Sequence, residues 1–159
     1  MPRRLIGITA NDTPGVLQRV SGLFSRRGYN IESITVGPSE KEGRSRMVVA
    51  ARGDDAVIRQ MRSQLLKLID VLEVVPLEEK PCVSRELMLV KLRMDPAKRS
   101  EIQSLADTFR CSVVDVGLDS MIVQVVGDAD KNDAFLQLIR PYGLLELTRT
   151  GETAMNRGG

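Results

Sequence analysis

The order in which strands and helices alternate constrains this chain most, because that order is written twice. "RRLIGITA" (Arg3 to Ala10) is short, apolar and bounded by turn residues, which predicts a strand. A helix is expected from Pro14 to about Arg27, with Thr13 or Asp12 as its cap and Pro14 in its first turn. Gly28 suits the left-handed stop after its last turn. Val16, Val20, Leu23 and Phe24 fall at i, i+4, i+7 and i+8, a single buried face. "YNIESITVG" (Tyr29 to Gly37) and "SRMVVAARG" (Ser45 to Gly53) read as two strands joined by a polar hairpin loop. Asp54 to Ile69 is the next helix, opened by aspartates that complement its dipole and lined by Val57, Met61, Leu65 and Leu68. "DVLEVVPL" (Asp70 to Leu77) closes the set as a fourth strand.

The second half repeats the series. "SRELMLVKLRM" (Ser84 to Met94) is a strand, and Asp95 to Arg110 a helix with Asp95 as cap and Pro96 at its first position. The strands "CSVVDVG" (Cys111 to Gly117) and "SMIVQVVG" (Ser120 to Gly127) follow, joined by a Leu118-Asp119 turn. A helix from Asp128 to Arg140 and the segment "YGLLELTRTG" (Tyr142 to Gly151) complete the copy. "VVAARGDD" and "VQVVGDAD" both place Gly-Asp where the third strand meets the second helix. The expected fold class is α+β, two ferredoxin-like βαββαβ domains, each an antiparallel sheet with both helices on one face. The expected boundaries are 1–77 for the first domain, a charged Pro-containing linker at 78–85, and 86–159 for the second.

Histidine is absent from all 159 residues, which removes the usual general base, nucleophile activator and commonest metal ligand. No carboxylate pair or Ser-x-x-Lys stands out, and "GPSEKEGR" (Gly37 to Arg44) lacks the spacing and ending of a phosphate loop. Cys82 and Cys111 stand far apart with no ligand partner for a metal. The formal charge of +2 is scattered in pairs such as Arg3-Arg4 and Arg26-Arg27, a solvated surface and not a nucleic-acid stripe. No apolar run reaches the roughly 20 residues of a membrane span, so the expectation is a cytoplasmic, non-catalytic protein with reduced thiols.

A ferredoxin-like fold hosts many functions, so function must come from a site. The best candidate is "NDTPGVL", Asn11 to Leu17, where the backbone N–H groups of Gly15, Val16 and Leu17 are expected to be free at a helix N-terminus. Such a terminus seats a carboxylate or a phosphate, and equally serves as a plain capped helix start. The second copy has "RMDPAKRS" there, with Ala97 and Lys98 in place of Gly15 and Val16, so the seat is expected in the first copy alone.

"NDTPGVLQRVSGLFSRRGYNIESITVGPSE" resembles the first half of an ACT domain, the amino-acid-sensing version of this fold. With "SRM", "QLLKLIDVLEV" and "VSRELMLVK" in the same order, the chain more closely resembles the small, regulatory subunits of acetolactate synthase. The resemblance implies a subunit without catalysis of its own that binds and activates a thiamine-diphosphate-dependent catalytic subunit. Thiamine diphosphate, Mg and FAD would belong to that partner. It further implies feedback inhibition by valine, bound where two ACT domains pair through their second strands in a homodimer. The positions carried over are Asn11, Asp12, Gly15, Val16, Leu17, Asn30 and Ile31.

The residue chemistry is compatible. Helix amides can take the effector's carboxylate, Asp12 its ammonium, and Asn30 either group; Val16, Leu17 and Ile31 would line a pocket for a branched side chain. Many family members have Glu-Asn or Glu-Asp before the turn where this chain has Asn11-Asp12, which bears on the choice among valine, leucine and isoleucine. A free-standing amino-acid sensor acting on another enzyme or on transcription is the competing reading. A small acylphosphatase-like enzyme would need a phosphate-loop arginine and a water-positioning asparagine, and that pair is not evident.

Overall fold

The computed structural model describes residues 2–158. They form two compact units, 2–84 together with 151–158, and 85–150. In the first, β1 (Arg3–Asn11), α1 (Val16–Arg27), β2 (Asn30–Pro38), β3 (Arg44–Arg52), α2 (Asp55–Leu65) and β4 (Val71–Pro76) follow in the expected order. Its sheet runs β2-β3-β1-β4 with every neighbouring pair antiparallel. In the second, β5 (Cys82–Arg93), α3 (Arg99–Thr108), β6 (Ser112–Val116), β7 (Ser120–Gly127), α4 (Ala129–Ile139) and β8 (Leu144–Arg149) give the matching order β6-β7-β5-β8. The fold is two βαββαβ units of the ferredoxin-like kind.

Alternation along the strands places each core. On the helix side of the first sheet, Ile6, Ile8 and Ala10 of β1 and Met47, Val49 and Ala51 of β3 are buried. They share a cluster with Val20, Leu23 and Phe24 of α1 and Ile58, Met61 and Leu65 of α2. In the second unit Met88, Val90, Leu92, Met121, Val123 and Val125 cluster with Ile102, Phe135 and Ile139. Each such burial contributes roughly 1.5–3 kcal/mol, and together they fix the register. The Gly-Asp junction recurs physically: Asp54 and Asp128 are both N-caps, accepting from Val57 N at 2.9 Å and Lys131 N at 2.8 Å.

Three local expectations are corrected. α1 begins at Val16 and not Pro14, and neither Thr13 nor Asp12 caps it. α3 begins at Arg99, because Asp95 closes a turn first, its side chain accepting from Ala97 N and its carbonyl from Lys98 N. Residues 151–158, expected in the second domain, lie in the first unit; their strand β9 (Thr153–Asn156) pairs with β5, whose first residues, 82–84, belong to that unit as well.

This returning tail closes the sheet face turned away from the helices. Ala154 joins Leu5, Val48, Ala50 and Leu77 in a separate apolar cluster. Glu152 is 1% exposed, its Oε1 accepting from Arg3 Nη2 at 2.9 Å while its carbonyl accepts from Thr35 Oγ1 at 3.3 Å. β1 and β3 of the first unit are therefore buried on both faces, whereas Leu87 and Val126 on the corresponding face of the second unit are exposed.

Candidate functional site

The loop from Asn11 to Leu17 is pinned from two sides. Asn11 N donates to Asp70 O at 2.8 Å, tying the end of β1 to the residue before β4, and Asp12 N donates to Gly43 O at 2.9 Å in the β2–β3 loop. Thr13-Pro14-Gly15-Val16 is then a turn, closed by Val16 N donating to Thr13 O at 3.2 Å. Gly15 sits at φ 85°, ψ 0°, the third-position geometry of a type II turn with proline ahead of it. Only a residue without a Cβ takes that conformation readily, so the Pro-Gly pair is the reason α1 starts late.

Consequently one of the three expected amides is not free. The Val16 N–H belongs to the turn, and the main-chain N–H groups without a main-chain acceptor among the described residues are those of Gly15, Leu17 and Gln18. The first helical bond is Arg19 N to Gly15 O at 3.0 Å. Arg19 and Asp70 join this site without having been expected in it. The Arg19 guanidinium ion-pairs with Asp70, and its Nη1 lies 3.0 Å from where a Cβ on Gly15 would sit. Free amides and a guanidinium at one helix start favour an anion.

The side chains divide differently from the expected pocket. Val16 is 6% exposed and packs into the core with Val20, so it lines nothing outside; Leu17 is 43% exposed. Ile31 is half-buried against the same core. Asn30 is exposed, but it faces Arg52 of β3, which in turn faces Arg3, whereas Asn11 faces Arg44. Asn30 and Ile31 are thus at one end of the sheet and the 11–17 loop at the other, about 27 Å away by strand rise. Within one chain Asn11, Asp12, Gly15 and Leu17 come together, and Asn30 and Ile31 do not join them.

Among the described residues β2 is an edge strand, bonded to β3 on one side only. Its other side presents a row of main-chain donors and acceptors open to another strand.

Neither cysteine is activated for covalent chemistry. Burial pushes the Cys82 thiol up, helped by Glu78 and Glu152 against an opposing Arg157. Burial also raises Cys111, with Lys131 opposing. Both are therefore poor thiolates. Among the described residues no group of three His, Cys, Asp or Glu could hold a metal ion, and no helix is long and apolar enough to cross a membrane.

Residues 6–73 match the model of the AHAS small subunit-like ACT domain, and residues 85–158 that of the small subunit of acetolactate synthase. The chain is 52% identical to the probable acetolactate synthase small subunit of Methanothermobacter thermautotrophicus, over 97% of this chain and 92% of that one. It is 47% identical to the acetolactate synthase small subunit of Bacillus subtilis, over 98% and 91%. The crystal structure of the small subunit from Thermotoga maritima superposes with a TM-score of 0.92 at 39% identity, covering 100% of this chain and 99% of that one. On this fold, these motifs and these matches, the chain belongs to the acetolactate synthase small-subunit family, the regulatory subunits of that enzyme.

Proposed function

We propose that the protein activates a thiamine-diphosphate-dependent catalytic subunit and confers feedback inhibition by valine, bound between two copies of the chain paired through β2. The cofactors thiamine diphosphate, Mg and FAD are assigned to the catalytic partner, and this subunit supplies none of the chemistry.

The observation that carries the reading is the placement of Asn30 relative to the loop. Two copies of one edge strand related by a twofold axis pair antiparallel. That operation lays the Asn30 end of one β2 beside the Pro38 end of the other, and Pro38 lies opposite Ser45, next to the Arg44–Asn11 pair. The two halves that one chain keeps at opposite ends of its sheet would then meet across the dimer, twice. The effector's carboxylate would take the N–H groups of Gly15, Leu17 and Gln18 with Arg19 beside them, and Asp12 or the partner's Asn30 would take its ammonium. Leu17 and the partner's Ile31 would border the aliphatic side chain. One methylene is worth about 0.8 kcal/mol, so buried area alone separates valine from isoleucine or leucine by little.

Regulation follows by linkage: valine binds one arrangement of the dimer more tightly, and the catalytic subunit responds to that preference. A coupling of about 1–3 kcal/mol suffices for strong inhibition. The test is acetolactate formation by the reconstituted enzyme with and without valine. Gly15→Asp sets a carboxylate against the effector's own, so inhibition is expected to vanish while activation persists; Asn30→Ala is expected to weaken inhibition less. Unchanged inhibition in Gly15→Asp overturns the site.

A further inference from the structure

At the opposite end of the first unit from the 11–17 loop, a cavity of about 630 Å³ opens between α2 and β4. Four cations border it: Arg4 of β1, Arg59 and Arg62 of α2, and Lys80 beyond β4. Asp55 and Glu79 are the carboxylates on its wall. Asp55 is engaged, its Oδ1 2.8 Å from Arg4 Nη2, and Arg62 spends its Nε on Val74 O at 3.1 Å. Arg59 and Lys80 hold no hydrogen-bond or ion-pair partner among the described residues. Asn156 of the returning tail also lines the cavity, with its Oδ1 buried and without a hydrogen-bond partner.

The internal repeat shows that the fold does not require this cluster. Arg4 lies opposite Ala51, two residues before Gly53, and Met88 lies opposite Val125, two residues before Gly127. Counting onward from those glycines, Arg59 corresponds to Asp133 and Arg62 to Leu136. The second unit thus has Met88 and Leu136, both buried, where the first has arginines. Its Asp133 is tied into a closed network with Arg149 and Glu86. One copy completes this corner with apolar packing and internal pairs; the other sets four cations and two carboxylates around an open space, an excess of positive charge.

We infer that this cavity binds a small phosphorylated metabolite, in a site separate from the loop at Asn11–Leu17. Guanidinium forks match phosphate oxygens two at a time, and a dianion offsets the repulsion among the assembled cations. The volume falls within the 300–1,000 Å³ common for small-molecule sites and exceeds what a bare phosphate fills. Val74, Val75 and Pro76 supply an apolar wall for the organic part, and the Asn156 amide oxygen an acceptor for one of its hydroxyls.

The experiment uses pyrophosphate as probe on the full chain, read by thermal shift and isothermal titration calorimetry against succinate and chloride at equal ionic strength. Pyrophosphate is expected to raise the melting temperature above both controls. Arg59→Ala/Lys80→Ala, which removes two exposed side chains without partners, is expected to weaken binding at least tenfold and to melt no lower than wild type without ligand. Arg99→Ala in α3 should leave binding unchanged. No shift beyond chloride, an equal response to succinate, or full binding by the double variant would each overturn the proposal. Valine inhibition in the double variant is expected to match wild type, so the two sites stand or fall separately.

Discussion

Replacing Gly15 by alanine tests whether the turn that presents the effector amides is held in place. At φ 85° an L-residue costs about 1–2 kcal/mol relative to glycine. The new Cβ would also lie 3.0 Å from Arg19 Nη1, the far end of a flexible side chain that can move aside. Moving it loosens the Arg19–Asp70 pair, which at 46% exposure of the arginine side chain is worth under about 1 kcal/mol. The expected loss is therefore about 1–2 kcal/mol, or about 4–10 °C in melting temperature for a unit of this size. Gly28, at φ 67° with nothing within 4 Å of its missing Cβ, isolates the backbone term and should lose about 1 kcal/mol on the same change. Gly37, with neither positive φ nor a neighbour within 4 Å, should lose nothing measurable. Thermal and urea unfolding of the three variants, followed by circular dichroism, give the ranking. If Gly15→Ala proves as stable as Gly37→Ala, the turn relaxes without cost and the argument for a preset anion seat fails.

Other perturbations probe the rest of the molecule. Arg149→Met removes the Nε and Nη2 contacts to Glu86 at 2.9 and 2.7 Å and leaves a 6% exposed carboxylate with only the Asn132 amide. It should cost about 3 kcal/mol in urea unfolding, and Glu86→Met/Arg149→Met should recover most of that. Ala154→Asp drives a carboxylate into the Leu5–Val48–Leu77 cluster; a loss of about 2–4 kcal/mol and faster tryptic cleavage after Arg157 are expected, and wild-type behaviour would contradict the burial of the tail. Cys82 and Cys111, both raised from 9.0, should alkylate with iodoacetamide more slowly at pH 8 than free cysteine does. Since the folded state keeps these protons longer than the unfolded one, their effect on stability is nil well below pH 9 and becomes a loss as pH rises through that value.

Much of the architecture was legible because apolar residues recur at the right period. Val16, Val20, Leu23 and Phe24 follow a helical stripe and are buried as expected, and in the strand before them Ile6, Ile8 and Ala10 alternate and are buried on the same side. Local turn chemistry is less legible where two signals compete: Pro14 suits a helix start, but with Gly15 behind it the pair closes a type II turn first. The tail was invisible because its strand is four residues long and its buried members are a glutamate, a glycine and an alanine, which leave no hydrophobic period. Arg19 and Asp70 could not be joined from the sequence, since their contact depends on how α1 meets the end of α2's connection to β4. The separation of Asn30 from the loop was, by contrast, implicit in the expected element order, because the helix between β1 and β2 carries the chain back, so the two strands run parallel and the start of β2 lies at the far end from the end of β1.

The tail's return also dictates an order of assembly. The first unit is synthesised first, yet its sheet lacks the cover for one face until residues 151–158 have left the ribosome, after all of the second unit. Leu5, Val48, Ala50 and Leu77 stay open to other chains throughout that interval. The second unit, in topological terms, is an insertion between two neighbouring segments of the first, and any chain that stops early forfeits the closure of the domain it has already made.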